Sequence, residues 1–219
     1  MSDPFDTITS LGVVPVIAIE RAADAIPLAD ALLEGGLPVA EITFRTPAAA
    51  EVMAKISAGR PELLVGAGTV LDLASLEAAR RSGARFGLAP GLDAQIVEAA
   101  TAAGFPFAPG IMTPSDLSAA ARLGARTVKF FPAGTAGGPK ALDAISAPFA
   151  HLGIRFIPTG GVTPDTIGDW LGLKSVAAVG GTWIARAEDI SQGRFADITR
   201  KAKAAVAAAK ALREARATA

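Results

Sequence analysis

Cysteine is absent from the 219 residues, and histidine occurs once, at His151. Without cysteine there is no disulfide framework and no thiol chemistry. One histidine with no thiol beside it cannot assemble a zinc site within the chain. Nor does His151, in a loop before Ile154 with no serine elbow nearby, suit a Ser-His-Asp relay. It reads as a surface or satisfied loop residue. Neither sign of charge is in surplus, since 21 basic and 21 acidic side chains give a formal net charge of zero. A nucleic-acid binder shows a basic excess, so no nucleic-acid partner is expected. Apolar residues make up 51%, yet no apolar run reaches the ~18 residues that would suggest a membrane span. The first twelve residues carry Asp3 and Asp6 and no basic group, a poor match to a signal peptide. These absences predict a soluble cytoplasmic protein with no membrane partner. Its chemistry must come mainly from Lys, Arg, Asp, Glu, Ser and Thr. No cofactor and no metal site is expected, although a Mg²⁺ held weakly by carboxylates and water stays compatible with the composition.

What the chain does have is a regular alternation of short β-prone runs and Ala/Leu-rich stretches at helical spacing. Strands are expected over 13–19, 39–45, 63–70, 85–90, 105–111, 127–133, 155–159 and 176–179. Between them, a helix over 22–33 is stopped by Gly35-Gly36. Later helices open at Thr46-Pro47, Asp72, Asp93, Thr113-Pro114, Pro139 and Thr163-Pro164. A long Ala-rich helix runs from about Phe195 toward the C-terminus. Eight βα units demand a parallel sheet and close most simply as a single (β/α)₈ TIM barrel, an α/β fold, over residues 1–219. A doubly wound open sheet is the alternative. It wants a G-x-G-x-x-G turn after its first strand, and the turn Glu20-Arg21-Ala22 has no glycine.

In such a barrel the site lies at the C-terminal ends of the strands. The run Val128-Lys129-Phe130-Phe131-Pro132 puts a lysine inside an apolar strand. Burying an ammonium costs several kcal/mol or more unless it is paired or neutralised. A buried lysine that gives up its proton is a nucleophilic amine, able to form a Schiff base with a carbonyl. The alternative is a lysine that snorkels to water. Side chains alternate along a strand, so Glu41, Thr43 and Arg45 share one face and Ile42 and Phe44 the other. The apolar pair suits the helix layer. The polar trio then points inward, with Glu41 deepest and Arg45 nearest the mouth. A buried Glu suits proton transfer, and its plainer role is an ion pair with Arg45 or Lys129. Thr69 ends a run of small residues, Gly66 to Gly68, that leaves room for a ligand.

Glycine pairs, Gly160-Gly161 and Gly180-Gly181, follow the last two strands. Bare glycines let backbone N–H groups approach an anion, and these loops are the usual phosphate site of such barrels. By contrast, 134–140 is no Walker loop, because Pro139 and Ala141 flank Lys140 where Gly and Ser/Thr are required. A buried lysine, an interior Glu, an Arg that can grip a carboxylate in bidentate fashion and a phosphate cup suit a Schiff-base lyase acting on a phosphorylated keto acid.

With Val14-Pro15-Val16, Glu41-Ile-Thr-Phe-Arg-Thr46, Val65-Gly-Ala-Gly-Thr-Val70, Ala89-Pro-Gly91, Pro109-Gly-Ile111, Val128-Lys-Phe-Phe-Pro-Ala133, Pro158-Thr-Gly-Gly161 and Gly180-Gly-Thr-Trp183, the chain resembles the 2-keto-3-deoxy-6-phosphogluconate (KDPG) aldolase and 4-hydroxy-2-oxoglutarate aldolase family over about 13–196. The resemblance implies a class I aldolase, usually a homotrimer, cleaving KDPG to pyruvate and glyceraldehyde 3-phosphate within the Entner-Doudoroff pathway. Many members also cleave 4-hydroxy-2-oxoglutarate to pyruvate and glyoxylate. By position, the resemblance makes Lys129 the Schiff-base residue and Glu41 the acid/base. Arg45 and Thr69 would hold the pyruvate carboxylate, and Pro90 and Phe131 would wall the site. Thr159 would meet the substrate hydroxyls, and Gly160, Gly161, Gly180, Gly181 and Thr182 the phosphate. Thr182 stands where relatives often carry serine, which keeps the hydroxyl. Three alternatives remain open: an aldolase for the galactonate epimer, a phosphate-barrel isomerase or epimerase using Glu41 as base, and a non-catalytic sugar-phosphate binder.

Overall fold

Strand and helix alternate as the hydrophobic pattern demands in a computed structural model that describes residues 3–217, with side chains through 215. One helix comes before the alternation. It is α1 (Pro4–Leu11), opened by Asp3, whose carboxylate accepts the Phe5 N–H, and by Pro4 in its first turn. The chain then runs through β1 (Val13–Ile17), a 3₁₀ turn (Ala22–Asp24), α2 (Ala25–Glu34), β2 (Val39–Thr43), α3 (Ala49–Gly59), β3 (Leu64–Gly68) and α4 (Leu73–Arg81). Next come β4 (Gly87–Leu88), α5 (Ala94–Ala102), β5 (Phe107–Ala108), β6 (Gly110–Ile111), α6 (Pro114–Arg122), β7 (Thr127–Phe130) and α7 (Gly138–Ser146). The last elements are β8 (Arg155–Pro158), α8 (Ile167–Leu171), β9 (Val179–Gly181), α9 (Ala187–Ser191) and α10 (Phe195–Ala217). Among the described residues no helix is long and apolar enough to cross a membrane.

Every strand pair is parallel, and the sheet curls with the helices outside it. Six strands run in the order β5-β4-β3-β2-β1-β9, and three more in the order β6-β7-β8. Where eight continuous strands of a full barrel were expected, the described residues form nine shorter strands in two sheets. The break falls inside the run expected over 105–111. Pro109 has no N–H to give to a neighbouring strand, so the ladder stops at Ala108 and restarts at Gly110. Its carbonyl still accepts the Lys129 N–H at 2.8 Å. Two isolated parallel bridges, Phe156 with Val176 and Thr159 with Gly180, join β8 to the run that enters β9. That last strand also lies later than 176–179, because its register is set by β1, with Val14 opposite Gly180 and Pro15 opposite Gly181.

Helix starts follow the capping chemistry in some places and not in others. Asp72 and Thr113 close reciprocal capping boxes with Ser75 and Asp116, and Asp93 accepts N–H groups of the first turn of α5. Thr46-Pro47 does not open α3. The Thr46 hydroxyl instead donates to the Ile19 carbonyl at 2.7 Å, and the helix begins at Ala49. Thr163 turns back on Thr166, and α8 starts only at Ile167. Pro139 is the second residue of α7, not its first.

The strands are buried on both faces, which is why they read as near-continuous apolar runs. Inside, the Phe86 ring meets Phe5 of α1 edge-on at 5.9 Å, so the unanticipated first helix covers one end of the interior. Outside, the buried carboxylate of Asp189 in α9 accepts from Arg194 Nε at 2.9 Å and from Lys201 Nζ at 2.5 Å, tying α9 to α10. The Lys201 hydrogen bond first, then that of Arg194, holds this carboxyl below its ordinary value against the opposing effect of burial. A depressed folded-state value means that the contribution is complete above the unfolded value of about 4 and is lost as pH falls toward the folded one. Asp189→Asn is expected to lower stability at pH 7 by about 1–2 kcal/mol, a discounted figure because both cations reach water. In urea unfolding the gap from wild type should narrow as pH drops below about 4. A gap that stays constant from pH 7 to pH 3 contradicts this role.

Candidate active site

Lys129 lies on β7 and Glu41 on β2, strands that belong to different sheets. Alternation turns both side chains inward, and there they meet, with Lys129 Nζ donating to Glu41 Oε1 at 2.9 Å. The lysine side chain is 5% exposed and the glutamate 0%, so the pair is closed to bulk water. The lysine does not snorkel out, and the ion pair considered for Glu41 forms with Lys129, not with Arg45. A buried pair of this kind adds little net stability compared with a packed apolar pair. Its value therefore lies in what the two groups can do. A single hydrogen bond lets a proton pass from nitrogen to oxygen, leaving an amine in an apolar chamber. Glu41 Oε2 is buried without a hydrogen-bond partner among the described residues, which is costly for structure alone and leaves an acceptor for a reacting group. The Phe131 ring centroid lies 5.8 Å from Nζ.

The run Gly66-Ala67-Gly68 does not leave empty room for a ligand, as its small residues suggested. A methyl group at Gly66 would stand 2.2 Å from the Phe86 ring, and one at Gly68 would stand 2.2 Å from Glu41 Oε1. The two glycines share the inner face of β3, and the space they free is taken by Phe86 and by the Glu41 carboxyl. Gly68 is thus a site residue that the sequence reading passed over. Thr69, the next residue, has φ of 57°, a left-handed conformation adopted by no other non-glycine among the described residues. For a β-branched residue this costs roughly 1–3 kcal/mol. Such strain is the kind held at ligand-facing positions.

Arg45 is exposed, two residues past the end of β2, where the inward face reaches the mouth. Its Nε donates to the Thr43 hydroxyl at 3.1 Å, and Thr43 in turn donates to the Ile17 carbonyl at 2.8 Å. No other hydrogen bond or ion pair engages Arg45 among the described residues, so its two terminal nitrogens are unpaired there. Pro90, half-buried, follows β4, and its carbonyl carbon would be 2.2 Å from a methyl at Gly110. That close approach wedges the Pro90 loop against β6.

The two glycine pairs lie on runs joined by the Thr159–Gly180 bridge. Gly160 and Gly161 follow β8 with φ of 89° and 83°, which only glycine adopts freely. Gly180 and Gly181 lie within β9, not after it as expected, because β9 is held in register by β1. The buried Thr159 side chain lies over Gly180, where a methyl would come 2.1 Å from its hydroxyl. Thr159 bonds weakly to its own strand, donating to the Ile157 carbonyl at 3.4 Å. Thr182 is exposed just beyond β9. Gly134 N–H donates to the Gly160 carbonyl at 2.8 Å, which brings the loop after β7 against the same glycines.

Against known proteins, the family model described as KDPG and KHG aldolase matches residues 6–201. The chain is 42% identical over 203 residues to the KHG/KDPG aldolase of Escherichia coli K12, covering 93% of this chain and 94% of that protein. Its fold superposes with a TM-score of 0.88, at 36% identity, on the KDPG aldolase of Legionella pneumophila with pyruvate captured at low pH as a covalent carbinolamine intermediate, covering 93% of this chain and 98% of that one. It superposes at 0.85, with 40% identity, on the 2-keto-3-deoxy-6-phosphogluconate aldolase of Zymomonas mobilis ZM4 with 3-phosphoglycerate, covering 93% and 95%.

Gly68→Ala is expected to push the Glu41 carboxyl out of hydrogen-bond distance from Lys129, because the methyl sits on rigid strand backbone. Gly66→Ala should displace Phe86 and leave the ion pair in place. Crystal structures of the two variants decide it. An intact 2.9 Å contact in Gly68→Ala contradicts the reading of that glycine.

Proposed function

This chain belongs to the KDPG and KHG aldolase family, and on that premise we propose that Lys129 is its imine-forming nucleophile and Glu41 its proton carrier. The protein is a lyase that cleaves 2-keto-3-deoxy-6-phosphogluconate to pyruvate and glyceraldehyde 3-phosphate, and 4-hydroxy-2-oxoglutarate to pyruvate and glyoxylate. The observation that carries the assignment is the closed 2.9 Å contact between Lys129 Nζ and Glu41 Oε1.

Lys129 hands a proton to Glu41, and the freed amine adds to the C2 ketone. The carbinolamine takes that proton back from Glu41 on its hydroxyl, which leaves as water, and a protonated imine remains. The imine draws in the electron pair of the C3–C4 bond as that bond breaks, while the C4 hydroxyl gives up its proton and leaves as the aldehyde. The remaining enamine takes a proton at C3, and water then releases pyruvate and restores the amine. Glu41, at the centre of these transfers, carries each proton directly or through water. Arg45 and Thr69 hold the C1 carboxylate, Arg45 with the unpaired fork of its guanidinium. Pro90 and Phe131 form the apolar walls, and Thr159 meets the substrate hydroxyls. The N–H groups of Gly160, Gly161, Gly180 and Gly181 and the Thr182 hydroxyl take the phosphate. The Thr159–Gly180 bridge, which joins the runs carrying the two glycine pairs, supports that cup. Phosphate binding remote from the bond that breaks is used for positioning.

The two sheets read as one closed (β/α)₈ barrel, a single domain. Support comes from the two bridges at β8 and from the Pro109 carbonyl that keeps Lys129 bonded across the interrupted strand. A phosphorylated acid does not cross a bilayer unaided, which favours action in the cytoplasm where the substrate is held. The exposed Leu71, Leu73 and Met112 offer apolar surface for assembly as a homotrimer.

Incubation with pyruvate and borohydride, followed by peptide mapping, is expected to find one reduced pyruvate adduct, on Lys129. Lys129→Ala should lose at least ~10³-fold in kcat. Absence of an adduct, or an adduct on Lys140 or Lys174, contradicts the assignment.

A further inference from the structure

The geometry points to Thr43 as the positioning residue for Arg45: its hydroxyl, anchored on the Ile17 carbonyl, fixes the aim of the guanidinium and so sets the affinity for the substrate carboxylate. The inference rests on the reading of Arg45 as the carboxylate grip.

A hydroxyl has one proton. Thr43 Oγ1 gives it to the Ile17 carbonyl at 2.8 Å, and both groups are buried. Toward Arg45 the oxygen can then only accept, and a guanidinium N–H can only donate. The chain of bonds therefore has one possible direction, from Arg45 Nε at 3.1 Å through Thr43 to β1. Thr43 is the last residue of β2, with 1% exposure, so the anchor sits on sheet backbone, not on a loop. Tying Nε leaves the edge with the terminal nitrogens for the ligand. A long side chain of many rotamers is thus ordered before substrate arrives, which removes an entropic cost from binding.

Thr46 has a separate task. Its buried hydroxyl donates to the Ile19 carbonyl at 2.7 Å and pins the backbone of the turn that carries Arg45. One threonine holds the turn and the other holds the side chain. Loss of the Thr43 hydroxyl should therefore loosen the guanidinium without unpinning the turn.

The experiment is a double-variant cycle read by pyruvate-dependent borohydride trapping and by steady-state cleavage. Thr43→Val is expected to raise the half-saturating pyruvate concentration about five- to tenfold, with kcat changed less than about threefold. Thr43→Ser, which keeps the hydroxyl, should return to within about twofold of wild type. On an Arg45→Ala background Thr43→Val should change nothing further, because the group it positions is gone. A Thr43→Val effect that persists in full on that background overturns the positioning role and leaves Arg45 as the carboxylate grip. So does a Thr43→Val enzyme with wild-type half-saturation, or a Thr43→Ser enzyme as impaired as Thr43→Val. An Arg45→Ala enzyme with wild-type half-saturation overturns the carboxylate reading and the positioning role together. Should Thr43→Val fail to fold, Thr43→Ala carries the same cycle.

Discussion

The bond between Lys129 and Glu41 joins two strands that share no ladder, deep in an interior lined mainly by apolar side chains, glycine and a few buried threonines. Much of the surrounding structure follows from making space for it. Gly68 lacks a side chain because the carboxyl occupies that volume, and Gly66 lacks one because the Phe86 ring does. Phe86 in turn packs on Phe5, so α1 closes the end of the interior away from the mouth. Two opposite charges satisfy each other in a poorly solvated space, where neither could stand alone. The same contact supplies what an imine reaction needs, an amine and a proton acceptor one hydrogen bond apart. Structure and chemistry share one interaction, and the unpartnered Glu41 Oε2 marks where structural satisfaction stops.

The alternation of strands and helices was legible because period-2 and period-3.6 patterns rarely mimic each other over eight repeats. What escaped was governed by local hydrogen bonding. Thr46-Pro47 and Thr113-Pro114 look alike as helix starts. Thr113 caps its helix, whereas Thr46 spends its hydroxyl on the Ile19 carbonyl just past β1, a partner far away in sequence. The helix α1 carried a usable signal in Asp3-Pro4, the same acceptor-then-proline pattern that was read correctly elsewhere. The division of the strand at Pro109 was also foreseeable from the missing N–H.

For the site, facing was the reliable part. Alternation alone put Glu41 and Thr43 inside and Arg45 at the mouth, and a lysine in an apolar strand was correctly read as buried. The partner of Glu41 was not decidable between Arg45 and Lys129, because that depends on how the sheet curls. The tasks of Gly68 and Thr43 were hidden for a similar reason. A glycine shows what it makes room for only when the neighbouring strand is in place. A threonine hydroxyl shows its direction only when both partners are known. Thr69 was noticed for its position, but its left-handed backbone could not be read from a residue type that seldom adopts it.

The central claim is that Glu41 moves protons for an imine on Lys129 and is more than a counter-charge. Exchange of pyruvate methyl protons with D₂O reports that step alone, since it requires the enamine to lose and regain a proton at C3. Glu41→Gln keeps shape and hydrogen bonding while removing the carboxylate. The account predicts that this variant still forms the pyruvate imine, more slowly, and loses at least ~10²-fold in methyl exchange. Methyl exchange at the wild-type rate in Glu41→Gln would contradict it.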